Sequence, residues 1–120
     1  MKGLHLTADL YRCRCEPAWL ADAARLQAWC ASAAQAAGLD SVDRLFHALA
    51  GGGVSGTLLM AGAHVCLHTS PDEKAANVDV YVSNAQGEQS AKARALMLAL
   101  VDRFQPEWTE QRSLDRGEEE

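Results

Sequence analysis

Two imidazoles and a thiol alternate along His64-Val65-Cys66-Leu67-His68. On a β-strand this spacing puts His64, Cys66 and His68 on one face and Val65 and Leu67 on the other. Imidazole and thiolate form a soft-metal donor set. Residues two apart on a strand, however, sit about 6.5 to 7 Å apart, so three in line converge poorly on one ion. A polar sheet face or pocket wall fits the same spacing. Cys13-x-Cys15 is too tight for a comfortable disulfide and lacks the C-x-x-C spacing of zinc and redox sites. With Cys30 and Cys66 irregularly placed, four free thiols are expected. Lys74 lies in a polar turn with no burial pattern that would depress its pKa, which argues against an amine nucleophile.

The elements that must position these groups follow from periodicity. Leu4, Leu6, Ala8 and Leu10 alternate with His5, Thr7, Asp9 and Tyr11, predicting a first strand. Glu16-Pro17 opens a helix whose stripe runs through Trp19, Ala23, Leu26, Cys30, Ala33 and Ala37, with Gly38 as its stop. Ser41 to Ala50 reads as a strand, although Phe46-His47-Ala48-Leu49 also suits a helix, and Gly51-Gly52-Gly53 breaks it. Val54 to Ala61 and His64 to Thr69 follow, joined through Gly62, then a turn at Ser70-Pro71-Asp72 and a strand from Asn77 to Ser83. Ser90 to Phe104 predicts a second helix with Ala91, Ala95, Leu98 and Val101 or Asp102 on its face, ended by Gln105-Pro106. Trp108 to Leu114 adds a short strand, and Asp115 to Glu120 a frayed, charged tail. Strands in series with tight connections pair antiparallel, and two amphipathic helices cover only one face of such a sheet. The expected fold is α+β: a two-layer sandwich, an antiparallel sheet with two helices packed on one face, forming one domain over residues 1–114. The uncovered face must meet solvent, a ligand or a second protomer.

Composition narrows the class. At 120 residues the chain buries roughly two thirds of its unfolded surface, enough for one core. Eleven basic against sixteen acidic residues leave a net charge of −5, which disfavours nucleic acid and anionic membrane. No apolar window of about 18 residues is present, and the N-terminal residues lack the pattern of a secretory signal. A compact cytoplasmic domain is expected.

A larger pattern overlies these elements. Phe46-His47, Gly53-Val54-Ser55-Gly56, His64-Val65-Cys66-Leu67-His68-Thr69-Ser70-Pro71-Asp72 and Ala76-Asn77-Val78-Asp79-Val80 together resemble the prokaryotic S-adenosylmethionine decarboxylase family. His5-Leu6 and Asp9-Leu10-Tyr11-x-Cys13 resemble that family's first strand, and the likeness extends from residue 3 to about 104. It implies a proenzyme of polyamine (spermidine) biosynthesis, in which an internal serine cleaves its own preceding peptide bond and becomes a pyruvoyl group. That ketone serves as the electron sink for loss of CO2. The family's cleavage motif is Glu-Ser-His; here Gly62-Ala63-His64 stands in its place. Alanine has no hydroxyl, so no pyruvoyl can arise at Ala63 and none is expected as a cofactor. The resemblance also places the family's proton-donor cysteine on Ser83 and its adenine-stacking aromatic on Leu49. The motif tryptophan is Ser70, and the acid after it is kept as Asp72. Ser55 and His68 stand where the processing helpers stand, and His5 is retained. His68 also fits a strand residue facing a second protomer, and Ser55 a small residue beside a tight turn.

The leading expectation is thus a divergent, non-processing paralogue that binds S-adenosylmethionine or a related amine, or that tunes an active decarboxylase. The resemblance implies a homodimer, with a hetero-oligomer as the alternative. An active decarboxylase by an unforeseen route and a His/Cys metal module are the competing readings. The first needs an electron sink, the second a convergent ligand set.

Overall fold

The computed structural model describes residues 2–117. β1 (Gly3–Cys13) leads into α1 (Ala18–Ala21) and α2 (Ala23–Ala36), then β2 (Ser41–Ala48), β3 (Val54–Met60), β4 (Ala63–Ser70) and β5 (Ala75–Ser83). α3 (Ser90–Phe104) and β6 (Pro106–Arg116) complete the order. The strands form one antiparallel sheet in the order β2-β3-β4-β5-β1-β6. The α+β sandwich is as expected, with the helices on one face.

Alternation decides the faces. Leu4, Leu6, Ala8 and Leu10 of β1, Val65 and Leu67 of β4, and Val78, Val80 and Val82 of β5 are all buried. They pack beneath Leu26, Cys30 and Ala34 of α2 and Leu96, Leu100 and Phe104 of α3. Each of the larger of these side chains contributes about 1.5 to 3 kcal/mol by leaving water.

Four expectations need correction. The first helix is two: the backbone opens at Asp22 (φ −100°, ψ 102°), whose carboxylate accepts the Arg25 N–H at 3.1 Å. An aspartate bonds backbone donors better as an N-cap than inside a helix, so it splits the segment. The buried face of α3 is Ala93, Leu96, Met97, Leu100 and Phe104, while Leu98 is 69% exposed. Apolar residues encircle this helix, and Phe104, the largest buried side chain, selects the face. The last strand is not short: it pairs with β1 from Cys13↔Pro106 to Gly3↔Arg116. Asp115 and Arg116 are therefore strand residues rather than tail, because β1 offers partners along its whole length; residues 118–120 lie outside the described residues. The β1 strand itself sits between β5 and β6, a placement that hairpin reasoning does not yield.

Candidate functional site

Thr69 is a buried polar residue on the helix side of β4, and it fixes the local frame. Its hydroxyl donates to the Leu20 carbonyl at 2.7 Å and accepts the Val54 N–H at 2.9 Å, tying α1, β3 and β4 together. One residue along on each strand, the side chains point to the open face. There Ser55 Oγ lies 2.8 Å from His68 Nδ1, across the Ser55↔His68 pair. A hydroxyl on an imidazole is an arrangement able to pass a proton. His68 and Ser70 border a depression of ≈ 230 Å³ with Asp9, Tyr11 and Asn77. Leu49 follows β2 at this end, 42% exposed, and Asp72 sits in the exposed β4–β5 turn.

Ala63 and Ser83 are elsewhere. Ala63 starts β4 directly after the Ala61-Gly62 turn, with its methyl directed to the helix layer and 8% exposed. The Ser83 N–H donates to the Gly62 carbonyl at 2.8 Å, and the Ser83 hydroxyl accepts the Ala85 N–H. Both residues line a cleft of ≈ 300 Å³ with Asp40, Met60 and Gln89. Five residue steps along β4 take Ala63 to His68, about 17 Å of strand. Within one chain the six sequence-predicted site residues thus fall into two groups at opposite ends of the sheet: Ser55, His68, Leu49 and Asp72, and Ala63 with Ser83.

His64 and Cys66 do not join His68 around an ion. Cys66 Sγ meets Thr57 Oγ1 at 3.6 Å, His68 turns to Ser55, and His64 stacks on Tyr81 at 5.5 Å between ring centres. Among the described residues no cluster of three His, Cys, Asp or Glu side chains is placed to hold a metal. The thiols are equally constrained: burial pushes Cys13 up to about 11 and Cys30 up to about 12.

The open face carries a ring cluster that spacing alone did not single out. His5 packs edge-on against both His64 and Tyr81, and its Nε2 is buried 3.9 Å from Asp79. The alternation of Asp79 and Tyr81 with buried valines was its only sequence signal. Burial lowers the His64 pKa below 6.5, the facing His5 lowers it further, and Asp79 opposes them. The unfolded chain therefore takes up this proton before the folded one does. The stability tied to neutral His64 is complete above pH 6.5 and is lost as pH falls from there towards the folded value. Urea unfolding at about pH 7.5 and about pH 5.5 should show a smaller acid loss in His64→Gln than in the natural protein. Equal losses would remove His64 as the cause.

A sequence profile described as S-adenosylmethionine decarboxylase matches residues 4–117. The S-adenosylmethionine decarboxylase proenzyme of Parasynechococcus marenigrum (strain WH8102) is 37% identical over 81 residues, 68% of this chain and 62% of that protein. The proenzyme of the same description from Hydrogenobaculum sp. (strain Y04AAS1) is 29% identical over 115 residues, 96% of this chain and 81% of that one. An arginine decarboxylase proenzyme of Ignicoccus hospitalis is 36% identical over 107 residues, covering 88% and 70% of the two chains. The chain thus spans just over three fifths of the first of these relatives and more of the others. The crystal structure of the adenosylmethionine decarboxylase from Aquifex aeolicus superposes with a TM-score of 0.86 at 26% identity, over 98% of this chain and 92% of that one. With that profile matching it from residue 4 to 117, the chain belongs to the S-adenosylmethionine decarboxylase family.

Proposed function

We propose that this chain is a non-processing member of the family, keeping the fold and part of the pocket without the carboxy-lyase chemistry. It acts as a ligand-binding or regulatory paralogue in polyamine metabolism. The observation that carries this reading is the methyl group of Ala63 beside the Gly62 carbonyl. The family's pyruvoyl group is made from the protein's own serine, and a residue with no hydroxyl does not fit that origin. The other changes agree. Ser83 is a much weaker acid than a thiol, and Leu49 offers an aliphatic surface where a ring would stack.

The ligand in this reading is S-adenosylmethionine or a related amine. The partner is a second copy of the chain, with an active decarboxylase as the alternative. The open face supports a partner: it presents Leu45, Leu59, Trp108 and Leu114, all substantially exposed. A two-fold axis running across the strands over this face would set one copy's Ser55–His68 end against the other's Ala63–Ser83 end, closing the gap of about 17 Å in the single chain. No helix among the described residues is long and apolar enough to cross a membrane. A cytoplasmic setting, where the four cysteines stay as thiols, goes with this reading.

The test is a calorimetric titration of S-adenosylmethionine into protein that sediments as a pair and whose intact mass is that of one 12.9 kDa chain. Binding near micromolar, about −8 kcal/mol, is the expected result. Fragments meeting at residue 63, with a carbonyl on the second, would overturn the non-processing reading. No heat at about millimolar ligand would overturn S-adenosylmethionine as the ligand and leave a protein partner to be sought.

A further inference from the structure

A cleft of ≈ 600 Å³ is distinct from those above. It lies where the end of β1, the approach to α1, the β4–β5 turn and the start of β6 meet, and shares with the family site only the turn that carries Asp72. Pro17, Leu20 and Pro71 give it an apolar wall. Arg12, Arg14 and Lys74 line it against a single carboxylate, Glu107. Arg12 reaches Glu107 at 3.4 Å, whereas Arg14 and Lys74 make no ion pair among the described residues. The lining thus holds two positive charges in excess, in a chain whose net charge is −5.

The backbone marks the same corner. The described non-glycine residues with left-handed φ are Arg12 (51°), Lys74 (51°) and Gln105 (47°). They are joined here: the Cys13 N–H donates to the Lys74 carbonyl at 2.8 Å, and the Arg14 N–H to the Gln105 carbonyl at 2.9 Å. Two of the three lining cations are therefore held in a conformation that glycine adopts freely and side chains rarely do, a pattern that gathers at ligand sites. Cys13 and Cys15 lie within the cleft, and burial raises both thiols, so they serve as floor rather than as nucleophiles.

We propose that this corner binds a phosphomonoester with an apolar body. The dianion matches the twofold charge excess and the planar fork of Arg14. The proline–leucine wall takes the ester group, and the cleft volume lies in the range of small-molecule sites.

Phenyl phosphate, titrated into the intact chain and followed by amide NMR, tests the site position by position. Shifts are expected at residues 12–16 and 72–74, with a dissociation constant of about a millimolar or tighter. Inorganic phosphate should bind at least about tenfold more weakly, phenol should not shift these residues, and affinity should fall with salt. The pair Arg14→Gln and Lys74→Asn should weaken binding at least about tenfold. Asparagine tolerates the left-handed backbone, so the variant keeps its fold, which unchanged shifts elsewhere would verify. No shift at about 10 mM probe, shifts confined to the Ser55–His68 or Ala63–Ser83 ends, or equal binding by the variant would overturn the site. Phosphate binding as tightly as phenyl phosphate would overturn the apolar body. None of these outcomes depends on whether S-adenosylmethionine binds.

Discussion

Ala63→Ser is expected to turn one chain into two, residues 1–62 and 63–120, where the natural protein stays whole. The substitution restores a hydroxyl next to the Gly62 carbonyl, the group such a nucleophile attacks. That carbonyl already accepts the Ser83 N–H at 2.8 Å. A fixed donor of this kind stabilises charge developing on the oxygen and is worth about 10²- to 10³-fold in acyl chemistry. Gly62, at φ 67°, holds the tight turn that presents the bond. In the proposed dimer, the Ser55–His68 pair of a second copy would supply the proton transfer. His68→Ala in the Ala63→Ser background should slow the cut by about 10²-fold or more. Intact mass after prolonged incubation reads both results. A serine variant that remains whole would mean that Ser55 and His68 are strand residues only, and that a hydroxyl at position 63 is not enough for the cut.

The largest stability effect is expected from Gly53→Ala. A Cβ there runs into the Thr69 carbonyl oxygen, with the Thr69 carbonyl carbon 3.3 Å away and Pro71 Cδ 3.6 Å away. Backbone cannot swing aside as a side chain tip does, so β3 and β4 must part at their shared end. Parting them strains the bonds through Thr69 to Val54 and Leu20, and with them the Ser55–His68 pair. A loss of about 3 kcal/mol or more follows, against less than about 0.5 kcal/mol for Gly51→Ala, where a Cβ meets nothing within 4 Å. Denaturant midpoints of the two variants decide it. Equal midpoints would show that the close approach at Gly53 does not exist.

These glycines also show what the sequence discloses and what it does not. The run Gly51-Gly52-Gly53 announces a break, yet nothing in it says that only the third glycine faces a carbonyl across the sheet. Alternation revealed β1, β4 and β5 because one face of each meets the helices and the other does not. It failed on α3, where alanine and leucine surround the helix and the choice of face belongs to Phe104 and its neighbours. Asp22 had a legible signature as an N-cap, but a continuous apolar stripe on both sides concealed it. The site was legible through family likeness rather than spacing: Ser55 and His68 lie 13 positions apart, and only the β3–β4 register makes them partners. The corner at Arg12, Lys74 and Gln105 had no sequence signal, since left-handed conformations at arginine, lysine and glutamine are not written in residue type.

The position of β1 bears on what a break at residue 62 would leave behind. The piece before the break owns β1, β2 and β3, and the piece after it owns β4, β5 and β6. In the sheet these do not form two halves, because β1 lies between β5 and β6, and β3 borders β4. The two polypeptides would be laced through one another, each holding strands flanked by the other's. Separation would require tearing three strand interfaces at once, so the pieces would travel together in native buffer and part only in denaturant. Such a fold is indifferent to whether its backbone is continuous at that turn.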